Sequence, residues 1–364
     1  MLVLTLMLIS SSFYTTRLGL SPVYILLPAS IYFWVLLGIR DRVRFKLTLS
    51  TVLGLAACFY LMALNSLTPN EYTAPIVLNF ILAIISLIAI KDIKVNISLV
   101  EIGWSVKKYN CFVIALASVD TALKVIYPDQ NPALNELEGI SFYKYKKSFV
   151  FGDSNVLALL LMSVFFTNLA VAENLSITLK KYNFVLITLI ILTLSRSAVI
   201  ATMVGIFGYL LKDKIFVKVF SVAALLSLTL INYSYIIKTL ITDGSGGTKV
   251  KELSETIKFL SEGDTLNVLF GVGFGYGEVI TDMYIHGLFA KAVVEGGLFF
   301  LLILLTFLVI IGIQSRKSLI LFLPLGLASL SLSFYLLAPF QAALLGLICR
   351  VENQNRSQKL WKKR

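Results

Sequence analysis

The chain is a series of long apolar runs broken by short, mostly basic segments, and that pattern decides what it can fold into. Runs of bilayer-crossing length, taken at about 20 residues per helix with shorter ones tolerated, fall near 1–13, 19–38, 47–66, 74–90, 110–127 and 154–172. Others fall near 182–195, 197–211, 216–236, 287–312, 318–333 and 334–349. Hydrophobic residues make up 58% of the 364 and charged residues 14%, against about 25% charged in soluble domains. No water-soluble core hides that much apolar surface, so lipid must be the solvent for most of it. The expected fold class is an all-α polytopic membrane protein of about 12 transmembrane helices, forming one integral membrane domain over 1–364. The N-terminal MLVLTLMLISSSFYTT has no basic lead and runs into more apolar sequence, so it reads as a first span rather than a cleaved signal.

The net charge of +12 is distributed as topology, not as a nucleic-acid face: the basic residues sit in short clusters between apolar runs. Starting with the N-terminus in the cytoplasm and alternating, 21 of the 32 Lys and Arg fall on the cytoplasmic side. The segment 184–211 is parsed by the same rule. Lys180 and Lys181 flank one end and Lys212 and Lys214 the other, so both ends belong in the cytoplasm. Two short helices joined at Ser195-Arg196-Ser197 satisfy that, and one span does not; the plainer alternative is an arginine snorkelling from a bent helix. Two larger loops are left on the periplasmic side, about 128–153 and 237–286, and both termini are cytoplasmic. Within the second loop, VKELSETIKFLSE spaces Val250, Leu253, Ile257 and Leu260 as a short amphipathic helix suited to a membrane surface, with Lys251 and Lys258 near headgroups.

Several chemistries are poorly provided for. One histidine, three cysteines in or beside apolar runs, and no HExxH, CxxC or DxD motif offer no convincing metal-ligand set, and there is no nucleotide-binding GxxxxGK[ST] loop. No cofactor is expected. What stands out is GVGFGYG, with glycine at 271, 273, 275 and 277, followed by the lone His286 and by Lys291 and Glu295 in an apolar run. Alternate glycines bare the backbone for close approach, and successive amides can form an anion nest; a flexible lead-in to a helix is the plainer reading. His286 is the side chain best suited to take a proton from a hydroxyl near neutral pH. Lys291 and Glu295, like Asp120 and Lys124, are four apart on one helical face. They are either structural ion pairs or the lining of an outward-opening polar cavity, in which Lys124, Lys291 and Arg196 suit an anion such as pyrophosphate. Asp153, Ser154 and Asn155 suit a helix N-cap, and Lys144, Lys146 and Lys147 precede them.

Three of these stretches together resemble the O-antigen polymerase and ligase superfamily of bacterial envelope glycan enzymes. FGDSNVLALLLM (151–162) is similar to its Phe/Gly-x-Pro-Asn segment, with Ser154 where proline is usual. TLSRSAVIA (193–201) is similar to its Ser-Arg-Ser/Gly segment, and GVGFGYG with IHGLFAKAVVEGG to its Gly-x-Gly, His-Asn, Glu-x-Gly module, with Gly287 in place of Asn. The resemblance spans about 151–305 and implies a GT-C-like polymerase or ligase bundle in the bacterial inner membrane with its active site facing the periplasm. It implies a metal-independent glycosyltransferase whose donor is an undecaprenyl-diphosphate-linked oligosaccharide and whose role is surface polysaccharide or lipopolysaccharide biosynthesis. In its terms Arg196, helped by Lys147 and Lys291, holds the diphosphate. His286 accepts the acceptor's proton, Glu295 or Asp153 tunes the site with Asn155 beside it, and Gly273 and Gly275 let the glycan pass. The implied partners are the lipid-linked oligosaccharide, the bilayer and a polysaccharide chain-length regulator, with no nucleic acid. A ligase that transfers finished polymer to lipid A core shares this architecture. A flippase or ion-coupled carrier would also use Asp120, Lys124, Lys291 and Glu295, although the sequence shows no internal repeat of the kind such carriers commonly have.

Overall fold

The computed structural model describes residues 1–13, 21–41, 47–68, 73–93, 95–129, 144–175, 177–210, 244–277, 281, 285, 287–329 and 337–361. The run at 216–236 and the residues Arg17 and His286 lie outside them. The described chain is almost entirely helical. In order it forms α1 (Leu2–Ser12), α2 (Val23–Arg40), α3 (Leu49–Leu67), α4 (Thr73–Asp92) and α5 (Leu99–Ile126). A two-stranded hairpin follows, β1 (Lys147–Ser148) and β2 (Gly152–Asp153), then α6 (Ser154–Leu175), α7 (Lys180–Leu192) and α8 (Arg196–Leu210). The rest is α9 (Gly244–Glu262), α10 (Thr265–Phe270), α11 (Leu288–Val294), α12 (Gly297–Gln314), α13 (Leu319–Ser329) and α14 (Pro339–Trp361).

Among the described residues, six helices are long and apolar enough to cross a membrane: α2, α3, α4 over Ala74–Asp92, α5, α6 and α12; α1 and α8 are shorter apolar helices. The chain is thus a mostly helical protein with several membrane-spanning helices. Three expected boundaries move. The expected loop at 91–109 is mostly helix, because α4 runs through Asp92 and α5 begins at Leu99, where Ser98 and Glu101 form a reciprocal capping box. At 28 residues α5 is about 42 Å long, more than the roughly 30 Å of a hydrocarbon core. The expected span at 287–312 breaks after Val294, where Gly297 takes φ +78°, into the short α11 and the spanning α12. The last expected run, 334–349, continues as a helix to Trp361.

The core of the bundle is α4, α6 and α14. In the spanning windows of α6 and α4, 83% and 67% of residues are buried, against 33% in α2, α5 and α12. Helix α14 packs on α4, α6 and α1. Gly346 permits the closest approach, since a Cβ there would lie 3.0 Å from the Leu87 carbonyl. Arg350 of α14 closes the C-terminus of α4 by donating to the carbonyls of Ile90, Ile93 and Val95, its guanidinium resting on Trp34 with 5.1 Å to the ring centroid.

The helix ends sort to two sides. At one, Lys91 is buried against Asp92 (2.9 Å), Thr48 and Ser50. Ser50 also donates to Gln314 at the end of α12, and Lys317 pairs with Glu173 at the end of α6. Among the described residues, this basic end brings together parts of the 91–109, 316–317 and 350–364 segments, which alternation assigned to one side. At the other end lie the hairpin, the α7–α8 turn and the α9–α11 segment.

Candidate functional site

Two groups of side chains build the loop end. The first is organised by Asp120, fully buried in the last turns of α5. Its Oδ1 accepts from Ser148 Oγ (2.9 Å) and from the amides of Phe149 (2.7 Å) and Val150 (2.9 Å). One carboxylate therefore fastens the β1–β2 hairpin to the bundle. Lys124, one turn on, donates to the carbonyl of Leu192 at the C-terminus of α7 (3.0 Å). Asp120 and Lys124 thus act outward from α5 on two separate segments, and neither is spent on an ion pair with the other. The hairpin leads into α6 through Asp153, whose carboxylate accepts the amide of Asn155 (2.8 Å) as an N-cap. Lys147 is exposed beside Asp129, 3.4 Å away.

The chain turns between α7 and α8 within Thr193, Leu194 and Ser195, ahead of the expected Ser195-Arg196-Ser197 junction, so that Arg196 is the first residue of α8, exposed, rather than the tip of the turn. Leu194 has φ +60°, a left-handed conformation that costs a branched residue about 1 kcal/mol. The turn is held by Thr193 and by the Lys124 contact. Around this corner, Asp120 Oδ2, Thr121 Oγ1, Ser154 Oγ and Ser195 Oγ are buried with no hydrogen-bond partner among the described residues. Native interiors leave few such atoms, so this corner is where the polar contacts of the loop end are least complete among the described residues.

The second group is the glycine segment. It is not an extended strap with one bare side: Gly271, Gly273 and Gly275 have φ of +82°, +97° and +83°. The backbone folds onto the break between α11 and α12, with Val272 N donating to Val294 O and Gly273 N to Glu295 O, both 3.0 Å. A Cβ on Gly273 would stand 2.2 Å from Thr68 Oγ1, and one on Gly297 2.4 Å from the amide nitrogen of Gly271. The Tyr60 hydroxyl bridges the two layers, 2.8 Å from Phe270 O and 2.9 Å from Gly296 O. The amides of Gly275 and Gly277 point at the Glu295 carboxylate. The anion these glycines hold in the structure is therefore the chain's own. Glu295 lies in the turn outside the spanning helices. Burial pushes its carboxyl above the ordinary range, opposed by Lys291, 3.7 Å away, and by the two amides.

Sequence reasoning missed Glu252. It is buried on the inner face of α9, and its carboxylate accepts the amide of Gly287, next in sequence to His286. The signal was present as the i, i+4, i+7 set Glu252, Thr256 and Phe259, all buried, but the apolar stripe on the other face masked it. The structure joins Lys147, Asp153, Asn155 and Arg196 to one corner through α5, α6 and α7. Gly273, Gly275, Lys291 and Glu295 form the other group, whose main packing is with α3, α9, α10 and α12. Both groups occupy the same end of the bundle. No protein-family profile matches the chain, and no curated protein matches it in sequence.

Proposed function

We propose that the chain is a metal-independent membrane glycosyltransferase that polymerises undecaprenyl-diphosphate-linked oligosaccharide repeats at the periplasmic face. The observation that carries the reading is the corner around Arg196. A strained turn places Arg196 at the start of α8, at the corner where buried serine and carboxylate oxygens have no partner among the described residues. Arg196, with Lys147 nearby on the hairpin, binds the diphosphate and stabilises charge on it as it leaves. His286, beside the Gly287 amide that Glu252 holds, takes the proton of the acceptor hydroxyl as that oxygen forms its bond to the anomeric carbon. Gly273, Gly275, Lys291 and Glu295 belong to the folded glycine segment at the same end, and Asp153 and Asn155 fix the entry to α6. A polysaccharide chain-length regulator is a partner in this reading.

The test is deletion of the gene in its host, followed by a lipopolysaccharide gel and complementation with variants. Core bearing one repeat, with the ladder lost, is the expected result. An Arg196→Ala/His286→Ala double variant present in the membrane should fail to restore the ladder; full-length polymer from it would refute the roles assigned here. Bare core with polymer left on its lipid carrier would make the chain a ligase. Bare core with unpolymerised repeats on the cytoplasmic side would make it a flippase.

A further inference from the structure

Away from the loop end, a lateral groove of about 660 Å³ lies between α5 and α7. Its floor is apolar, formed by Ile114, Ala115 and Val185; its mouth is polar, formed by Thr178, Lys181 and Tyr182. Tyr182 is steadied by Cys111, whose sulfur lies 3.7 Å from the phenol oxygen. Lys108 stands on the groove's side of α5, one turn before Cys111 and two before Ala115, and is exposed, as Lys181 is. The distance along the helix from Lys108 to Ala115 is about 10 Å. The groove therefore runs from two cations at the basic end to an apolar floor at membrane depth. That polarity is the shape of an amphiphile with an acidic head, and basic recesses between spanning helices are where such headgroups settle.

We propose that this groove binds one anionic phospholipid, its acyl chain along Ile114, Ala115 and Val185 and its phosphate between Lys108 and Lys181. The site is independent of the glycan chemistry at the opposite end. The groove opens sideways between helices whose outer faces carry exposed Phe184 and Val119, so its occupant is drawn from the bilayer. Neither lysine has a carboxylate within ion-pair distance among the described residues.

Native mass spectrometry of the full-length protein tests this, with equimolar phosphatidylglycerol and phosphatidylcholine of the same acyl chains supplied in detergent. Phosphatidylglycerol should be retained over phosphatidylcholine by on the order of tenfold. A Lys108→Gln/Lys181→Gln variant should bring the ratio near one. Ala115→Trp, which fills the floor and leaves both lysines, should abolish retention of the first bound phosphatidylglycerol. Both variants alter exposed side chains, and a size-exclusion profile like that of the unaltered protein verifies their fold. Equal retention of the two lipids by the unaltered protein, or a preference that survives either variant, overturns the proposal.

Discussion

At the scale of single residues, the loop end depends on a few buried polar atoms with several duties each. Asp120 Oδ1 satisfies a hydroxyl and two backbone amides at once. Asp120→Ala would strand those donors and remove the counter-charge beside Lys124. It should destabilise the protein by about 3 kcal/mol, read as a lower melting temperature in detergent with new proteolytic cleavage near residues 147–153. Asp120→Asn keeps one acceptor oxygen and should fall between. Gly273 makes a different case, since φ +97° and the approach of Thr68 both exclude a side chain. Gly273→Ala should cost about 2–3 kcal/mol. Adding Thr68→Ala should recover only part of it, because the Thr68 Cβ alone would still be 2.7 Å from the new methyl group. Full recovery in the thermal melt would mean that the backbone conformation carries no strain. The spacing of Asp120 and Lys124 was legible in the sequence; their partners were not, because a hairpin 28 residues away and a carbonyl on α7 leave no periodic trace.

At the scale of elements, charge was the more informative signal and hydropathy the less. The split of 184–211 into α7 and α8 follows from lysines at both ends of one apolar run; the structure makes the split two residues earlier than expected, at Thr193–Ser195, with Arg196 and Ser197 already in α8. The break between α11 and α12 was visible only as Gly296-Gly297 inside an apolar run, where hydropathy continues undisturbed. Helix α9 was legible as an amphipathic helix, but it has three faces rather than two. Glu252, Thr256 and Phe259 are buried against the protein, while Leu253 and Ile257 are 62% and 57% exposed beside Leu260. Lys251, Lys258 and Ser261 occupy a third face. The apolar face continues through Phe270 of α10, whose ring meets Phe299 at 5.2 Å at the head of the outward stripe of α12. Such a helix lies in the corner between protein, lipid and water. Spin labels at Leu253→Cys and Ile257→Cys, in a Cys111→Ser background reconstituted in liposomes, should be accessible to oxygen and shielded from a nickel chelate. A label at Lys258→Cys should show the reverse, and equal chelate access at all three sites would place α9 in water.

For the whole molecule, the separation of its two ends limits how it can sit in a membrane. Among the described residues the basic end carries Arg40, Lys91, Lys180, Lys181, Arg316 and Lys317 in or beside short connections or helix termini, and Arg350 and Arg356 within α14. The lysines of the opposite end sit mainly in the two long segments, which obey the positive-inside rule only weakly. The basic end is therefore expected in the cytoplasm, which directs Arg196 and the glycine segment outward, as the proposed periplasmic activity requires. Two exposed serines at opposite ends read this out directly, again without Cys111: Ser261 on the third, polar face of α9 and Ser357 in the polar half of α14. In intact spheroplasts a membrane-impermeant maleimide should label Ser261→Cys and leave Ser357→Cys unmodified until the membrane is opened. The opposite pattern would turn the molecule over, and a periplasmic enzyme could not then be built on the Arg196 corner. Labelling of both before lysis would mean that the two ends do not lie on opposite sides of the bilayer, and the alternation that unites α3, α4, α12 and α14 at the basic end would no longer describe a membrane crossing.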